Sequence, residues 1–157
     1  MSNKIVIACD HAGYEYKCKL VEVLTEKGFE VIDCGTDSPE SCDYPVPVHR
    51  LCTKITDGDA TRGILICGTG IGVSIAANKH SGIRAAVCGD LYSAEMTRLH
   101  NDANVLCMGA RVIDFDLACQ ITEVFLNTGA LDEERHRRRV AMIRDIENGT
   151  FDERKYN

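Results

Sequence analysis

The sequence contains no long hydrophobic segment. At the N-terminus only the run from Ile5 to Cys9 precedes Asp10, which is too short for a signal-peptide core, and no other run approaches membrane-spanning length. We therefore expect a cytoplasmic protein with no membrane partner. The chain has 157 residues, 45% of them hydrophobic, and we find no internal repeat or low-complexity tract. These values predict one globular domain over residues 1–157.

The sequence also lacks an excess of basic residues. It carries 18 lysines and arginines against 24 acidic residues, which gives a formal net charge of -6. A general nucleic-acid binder needs a basic surface to neutralise phosphates, so we expect no nucleic-acid partner. A small anionic ligand is still compatible with this charge, because a local arginine cluster can hold one phosphate on an acidic protein.

No C-x-x-C motif occurs among the cysteines, and their number, nine, is odd. Both features argue against a disulfide framework, and the spacing argues against a structural zinc site. Most of the cysteines lie in apolar runs or in helix-like segments. The pattern therefore predicts reduced, buried thiols that pack as small hydrophobic side chains.

A glycine-rich loop at 68–72, G-T-G-I-G, follows the continuous apolar run Ile64 to Cys67. The loop has neither the G-x-G-x-x-G spacing of dinucleotide-binding proteins nor the G-K-[ST] of nucleotide triphosphatases. After it, Val73, Ala76 and Ala77 recur at helical spacing. The segment is thus predicted to be strand, loop and helix, an arrangement that can present backbone N–H groups to an anion. A tight turn without a ligand is the alternative.

Four further apolar runs resemble buried strands, so the predicted strands are residues 4–10, 29–34, 64–67, 84–89 and 105–109. Helices separate them, which predicts a three-layer, Rossmann-like, doubly wound five-stranded parallel sheet with helices on both faces. In the common strand order 2-1-3-4-5, ligands bind between strands 1 and 3. These two strands end in Asp10 with His11 and in Cys67 with the glycine loop.

Glycine, proline and aspartate suggest where the predicted helices begin and end. Gly28 is suited to end the first helix, and Pro47 is suited to open the second. Asp114 can cap the helix that we expect to end at Gly129. A final helix is predicted at residues 134–147.

Four motifs together resemble the ribose-5-phosphate isomerase B family, within the wider group of RpiB/LacAB sugar-phosphate isomerases. They are C-D-H-A-G at 9–13, D-Y-P at 43–45, I-C-G-T-G-I-G-V-S-I-A-A-N-K at 66–79 and H-N-D-A-N-V-L at 100–106. The resemblance covers nearly the whole chain. It implies a cofactor-free aldose-ketose isomerase that interconverts D-ribose 5-phosphate and D-ribulose 5-phosphate through an enediolate, in the non-oxidative pentose phosphate pathway.

The resemblance also implies a homodimer with the active site at the subunit interface, and we expect the helix at 134–147 to contact the partner subunit. Relatives that act on galactose 6-phosphate or allose 6-phosphate share much of the pattern. A six-carbon sugar phosphate is therefore the alternative substrate.

Cys67 stands where the resemblance places the general base that moves a proton between C2 and C1. A thiol beside a helix N-terminus loses its proton more readily than a free thiol. A second branch of the family uses a glutamate just after the glycine loop, but that position is Val73 here. The base assignment therefore goes to Cys67, although a buried strand thiol without a catalytic role would fit the same position.

The resemblance assigns the other steps to residues near the same motifs. The Thr69 hydroxyl would polarise the carbonyl, and Asp10 would bind substrate hydroxyls, unless it only caps a helix. His100 would open the furanose ring, with Asn101 binding the sugar beside it. Tyr44 would line the sugar pocket. The enediolate oxygens would be held by backbone N–H groups of Gly68, Thr69, Gly70, Ile71 and Gly72.

The resemblance assigns the phosphate to four basic residues: His11, Arg111, Arg135 and Arg139. Arg135 and Arg139 are four residues apart on one helical stripe that continues through Met142 and Ile146, so we expect both to point toward protein. Arginine can contact a phosphate dianion through two N–H groups at once, which lysine cannot do. The intervening arginines are expected in solvent.

Two other functions fit parts of the pattern. A low-molecular-weight tyrosine phosphatase also has a cysteine before a phosphate loop, but its C-x5-R motif requires arginine where this chain has Val73. A non-catalytic, flavodoxin-like nucleotide-binding module would suit the predicted layout. Nothing near the loop supplies an aromatic ring for stacking, however, and protein purified without colour or bound nucleotide would argue against this function.

Overall fold

The computed structural model describes residues 3–156 and contains one five-stranded sheet. The strands are β1 (Lys4–Cys9), β2 (Glu30–Asp33), β3 (Gly63–Cys67), β4 (Ala85–Val87) and β5 (Val105–Gly109). All four neighbouring pairs are parallel, in the order β2-β1-β3-β5-β4. The predicted doubly wound parallel sheet is confirmed.

Helices cover both faces of this sheet. They are α1 (Tyr14–Glu26), α2 (Pro45–Thr56), α3 (Ile71–Ala77), α4 (Leu91–Asn101), α5 (Phe115–Asn127) and α6 (Glu134–Glu147). Residues of α1, α4 and α5 pack on one face, and residues of α2 and α3 pack on the other. Within residues 3–156, none of these helices is both long and apolar enough to cross a membrane.

The central strands are buried on both faces because their side chains alternate between two apolar layers. In β3, Ile64 and Ile66 join the layer under α1 and α5, whereas Leu65 and Cys67 join the layer under α2 and α3. All five residues of β3 are buried. This double burial explains the continuous apolar run in the sequence.

The predicted strand order 2-1-3-4-5 is wrong in its last two positions, because β5 lies between β3 and β4. All five residues of β5 are buried. β4 is only three residues long, and its Val87 is 44% exposed. The longer apolar strand therefore occupies the interior, and the short one forms the edge. The position of β1 beside β3, where the sequence predicts the ligand, is unaffected.

Three predicted helix ends can be compared with the structure. Asp114 caps α5 by accepting a hydrogen bond from the N–H of Leu117 at 2.8 Å, as predicted. The same helix ends at Asn127, two residues before Gly129. The second helix begins at Pro45 rather than Pro47, because first-turn N–H groups have no intrahelical partner and both prolines are tolerated there.

The nine cysteines are free thiols, and five of them are buried: Cys9, Cys52, Cys67, Cys88 and Cys107. Burial raises the pKa of Cys9 to about 12 and the pKa values of Cys52 and Cys88 to about 11. These three thiols stay protonated at neutral pH and pack as small apolar groups. The other four cysteines are only half-buried, so the prediction of burial holds for part of the set.

Candidate active site

Two of the candidate residues lie together at the carboxyl ends of β1 and β3, which form one end of the sheet. Asp10, which follows β1, is 8% exposed, and its backbone N–H donates to the carbonyl of Ile66 in β3. Its Oδ1 accepts hydrogen bonds from the N–H groups of Ala12 at 2.9 Å and Gly13 at 3.1 Å. Asp10 therefore caps the short turn after β1, while its Oδ2 can accept a further bond from a ligand.

Cys67 is the last residue of β3, and its side chain is oriented by the glycine loop. The residue is 6% exposed, and its Sγ accepts a hydrogen bond from the N–H of Gly70 at 3.1 Å. An N–H group directed at sulfur stabilises negative charge that develops there. Val73, which occupies the position of the glutamate base in the second branch, is fully buried. The sulfur thus lies at the carboxyl ends of β1 and β3 with one N–H group directed at it, which is an arrangement that a sulfur base would need.

The loop donates fewer N–H groups to a ligand than the sequence predicted. The N–H of Gly70 is bonded to Cys67, and the N–H of Ile71 donates to Thr69 Oγ1 at 3.3 Å. Both bonds would have to be exchanged before these groups could bind an enediolate. Thr69 itself is exposed at the loop surface, so its hydroxyl is accessible to a ligand.

The glycine loop lies directly against the end of β5. A Cβ on Gly109 would lie 2.6 Å from the carbonyl carbon of Thr69, closer than real side chains pack. Gly70 has φ of 78°, a conformation that glycine adopts most readily. These two glycines set the distance between the loop and the sheet.

Gly109→Ala should therefore lower the free energy of unfolding by about 1–3 kcal/mol and displace the loop. Gly129→Ala is the matched control, because no atom lies within 4 Å of a Cβ at that position. We expect the control to be neutral or stabilising by up to about 1 kcal/mol. Denaturant unfolding of both variants measures the difference, and equal stabilities would contradict the contact.

His11, Tyr44 and Arg111 also lie at this edge. The N–H of Cys42 donates to Nδ1 of His11 at 3.4 Å, which in the neutral ring leaves Nε2 as the donor. The Tyr44 ring lies over the loop, 3.1 Å from where a Cβ on Gly72 would be. Arg111 crosses the other end of the loop, with its Cδ 3.4 Å from the Cβ position of Gly68.

The structure does not bring His100 and Asn101 to the same edge. Both lie at the end of α4, which leads from the carboxyl end of β4 back to the amino end of β5. Asn104, three residues after Asn101, bonds to the first residue of β3 through its carbonyl. His100 and Cys67 of one chain therefore lie at opposite ends of the strands, and a five-residue strand is about 13 Å long.

Arg135 and Arg139 lie on α6 and are both exposed. Arg135 pairs with Glu133 at 2.9 Å, and Ile146 of the same stripe is 61% exposed. The prediction that this stripe points toward protein is therefore wrong for the single chain. The stripe that packs inward begins one residue later, at His136.

His136 packs against the candidate residue His100, a contact that the sequence interpretation missed. Its ring stacks on that of His100, with centroids 4.4 Å apart and planes 4° apart. The residue is 5% exposed, and within residues 3–156 its Nε2 is buried without a hydrogen-bond partner. Burial lowers the pKa of His136, and the charges of His100 and Arg135 lower it further. The sequence did contain a signal for this packing, because His136 and Val140 are four residues apart and so lie on one face of the helix.

The chain is similar to known proteins over most of its length. A family model described as Ribose/Galactose Isomerase matches residues 5–143. A protein named ribose-5-phosphate isomerase B from Escherichia coli is 47% identical over 144 residues, which cover 92% of this chain and 96% of the relative. A protein named 4-deoxy-4-sulfo-D-erythrose isomerase from a Clostridium species is 43% identical over 130 residues, 80% of each chain.

A solved structure of ribose-5-phosphate isomerase B from Clostridium thermocellum has the same fold. It superimposes with a TM-score of 0.91 at 47% identity, covering 93% of this chain and 98% of that one. The family match at residues 5–143 includes Asp10, Cys67 and His100, the candidate residues of both ends of the sheet. By this combined evidence, the chain belongs to the ribose/galactose isomerase family.

Proposed function

We propose that this protein is an aldose-ketose isomerase that interconverts D-ribose 5-phosphate and D-ribulose 5-phosphate. The observation that carries the proposal is the Cys67 sulfur, held by the Gly70 N–H beside Asp10 at the crevice between β1 and β3. A base at the strand ends and an adjoining loop of main-chain donors are what enediolate chemistry requires. The names of the relatives agree with this reaction.

In the proposed mechanism, Cys67 acts as a thiolate on the ring-opened aldose. It removes the proton from C2 while the aldehyde oxygen gains negative charge, which forms the enediolate. The same proton then returns from sulfur to C1. The hydroxyl proton on the C2 oxygen passes to the C1 oxygen, so that C2 becomes the ketone carbonyl and C1 becomes a CH2OH group. Thr69 and the backbone N–H groups of the loop stabilise the oxyanion, and Oδ2 of Asp10 accepts a hydrogen bond from a sugar hydroxyl.

We propose that the ring-opening and phosphate-binding residues come in part from a second copy of the chain. His100 and Asn101 lie at the opposite ends of the strands from Cys67, and α6, which carries Arg135 and Arg139, packs beside His100 through His136. These four residues are therefore far from Cys67 of the same chain. A two-fold axis perpendicular to the strands reverses their direction. Such an axis can therefore place the amino ends of the strands of one subunit beside the carboxyl ends of the strands of the other.

The surface suited to this dimer contains exposed apolar side chains. Ile71 and Ile75 on α3 are 54% and 57% exposed, and they follow the glycine loop directly. Val87 on the edge strand and Ile143 and Ile146 on α6 are each at least 44% exposed. Contact with a second copy would remove these side chains from water, and it would make α6 part of the interface, as the sequence predicted.

The phosphate would then be bound from both subunits. His11 and Arg111 lie beside the glycine loop of one chain, and Arg135 and Arg139 would come from the other. Before it can bind phosphate, Arg135 must exchange its bond to Glu133. We further propose that the enzyme works in the cytoplasm, in the non-oxidative pentose phosphate pathway.

Steady-state assays with ribose 5-phosphate, allose 6-phosphate and galactose 6-phosphate test the substrate. We expect kcat/KM to be highest for the five-carbon sugar by about 10-fold or more, because an additional carbon changes the distance between the reacting carbons and the phosphate. One relative is named as an isomerase of a four-carbon sulfo-sugar, so the assays should include more than one sugar length. A higher kcat/KM for either six-carbon sugar would favour the alternative function, and turnover of none of them would refute the proposed reaction.

A further inference from the structure

Asp102 lies at the junction between α4 and β5 in an unusual backbone conformation. Among the described residues it is the only non-glycine with positive φ, at 45°. Glycine adopts this helix-terminating conformation without steric strain, whereas in aspartate the Cβ makes it less favourable. The reason for aspartate at this position must therefore lie in its side chain.

The Asp102 carboxylate bridges two arginines. Its Oδ2 lies 3.0 Å from Nη2 of Arg84, and its Oδ1 lies 2.9 Å from Nη1 of Arg98. The Arg98 side chain is 6% exposed and that of Arg84 is 27% exposed. The Asp102 side chain itself is 44% exposed, so the bridge is held by its simultaneous contact with two guanidinium groups, one of them buried, rather than by exclusion of water.

The same two arginines bind the carbonyl groups at the end of α4. Arg84 donates to the carbonyl of Asn101 at 3.2 Å and to that of Asp102 at 2.8 and 3.0 Å. Arg98 donates to the carbonyl of Ala103. Terminal carbonyls of a helix have no intrahelical partner, and cations near them are favourable. The carboxylate thus orients the two guanidinium groups that hold the last turn in place.

We propose that Asp102, acting through Arg84 and Arg98, is a positioning residue for His100 and Asn101. These two residues form the last positions of α4, directly before Asp102. Helix ends fray when their terminal groups are not bound, and a displacement of about 1 Å can cost about 100-fold in rate. The inference rests on the proposed function, because it assigns Asp102 to the ring-opening half of that site.

Two substitutions test the proposal without straining the backbone. Asp102→Gly removes both ion pairs, and Asp102→Asn keeps one acceptor oxygen; both residues tolerate positive φ. We expect kcat/KM for ribose 5-phosphate to fall by about 10- to 100-fold in Asp102→Gly and by less in Asp102→Asn. Asp59→Asn is the control, because it makes the same charge change at an exposed pair with Lys54 and should leave the rate unchanged.

A double-mutant cycle separates positioning from a general loss of structure. If Asp102 acts through His100, Asp102→Gly should cost little further rate once His100→Ala is present. The proposal would be overturned if the loss of rate in the double mutant equalled the product of the losses in the two single mutants. It would also be overturned if Asp102→Gly had the wild-type rate. A variant that only destabilised the fold would lose rate equally in both backgrounds.

Nuclear magnetic resonance gives a measurement that does not depend on the reaction. The stacked rings of His100 and His136 should shift one another's imidazole proton signals, and Asp102→Gly should reduce this shift. Unchanged signals would overturn the positioning role. If the wild-type protein failed to isomerise any sugar phosphate, the proposed function would fail, while these signals would still decide whether Asp102 positions His100.

Discussion

Replacing Cys67 by alanine is expected to lower kcat for ribose 5-phosphate by about 100- to 10,000-fold while the fold is preserved. Loss of a general base has an effect of this size. Binding of the substrate should change far less, because the sulfur contacts the proton that is transferred. Steady-state kinetics give the rate, and a thermal unfolding midpoint gives the stability.

Cys119→Ala is the matched control for this experiment. Cys119 is a half-buried free thiol on α5, away from the glycine loop, so its replacement should leave kcat unchanged. Cys67→Ala removes a small side chain at the end of a strand, and we expect only a modest loss of stability. A Cys67→Ala enzyme with near wild-type kcat would show that another group is the base.

The second large effect is expected when two inactive variants are mixed. Cys67→Ala and His100→Ala should each lower turnover of the ring-closed pentose by about 100-fold or more, to a small but measurable rate. In a dimer that shares its sites, a mixed dimer regains one intact site from the unmodified Cys67 of one chain and the unmodified His100 of the other. With random exchange of subunits, half of the dimers are mixed, so activity should return to about a quarter of wild type.

The geometry of the chain explains why complementation is expected. Cys67 ends β3, whereas His100 ends α4 at the opposite edge of the sheet. A mixture of Cys67→Ala with Thr69→Ala is the control, because both residues belong to the same half-site and no intact site can form. Dilution, refolding together and a rate assay measure the outcome. A mixture of Cys67→Ala and His100→Ala that stayed inactive would argue against a site shared between subunits.

Local sequence patterns were sufficient for the strands and most helices. The limits of β5 (Val105–Gly109) and α6 (Glu134–Glu147) agree with the prediction, because continuous apolar runs and helical periodicity are properties of adjacent residues. The strand-loop-helix segment around Cys67 was predicted for the same reason. The lateral order of β4 and β5 was not, since it depends on which strand buries more apolar surface in the finished sheet.

The same distinction applies to the candidate site. Asp10, His11, Cys67 and the glycine loop could be placed together, because they follow two strands whose carboxyl ends must meet at one edge. On α6, a stripe beginning at Arg135 and another beginning at His136 fit the helical spacing equally well. Packing against α4 decided between them, and it stacked His136 on His100.

The sequence by itself determined the parallel sheet, the crevice between β1 and β3, and the cysteine at its mouth, because each follows from neighbouring residues and the alternation of strand and helix. Only the tertiary structure decided that Cys67 and His100 lie at opposite edges of the sheet. The direction in which each helix returns across the sheet separates them. No local pattern reports the distance between the ends of two elements that are far apart in the chain.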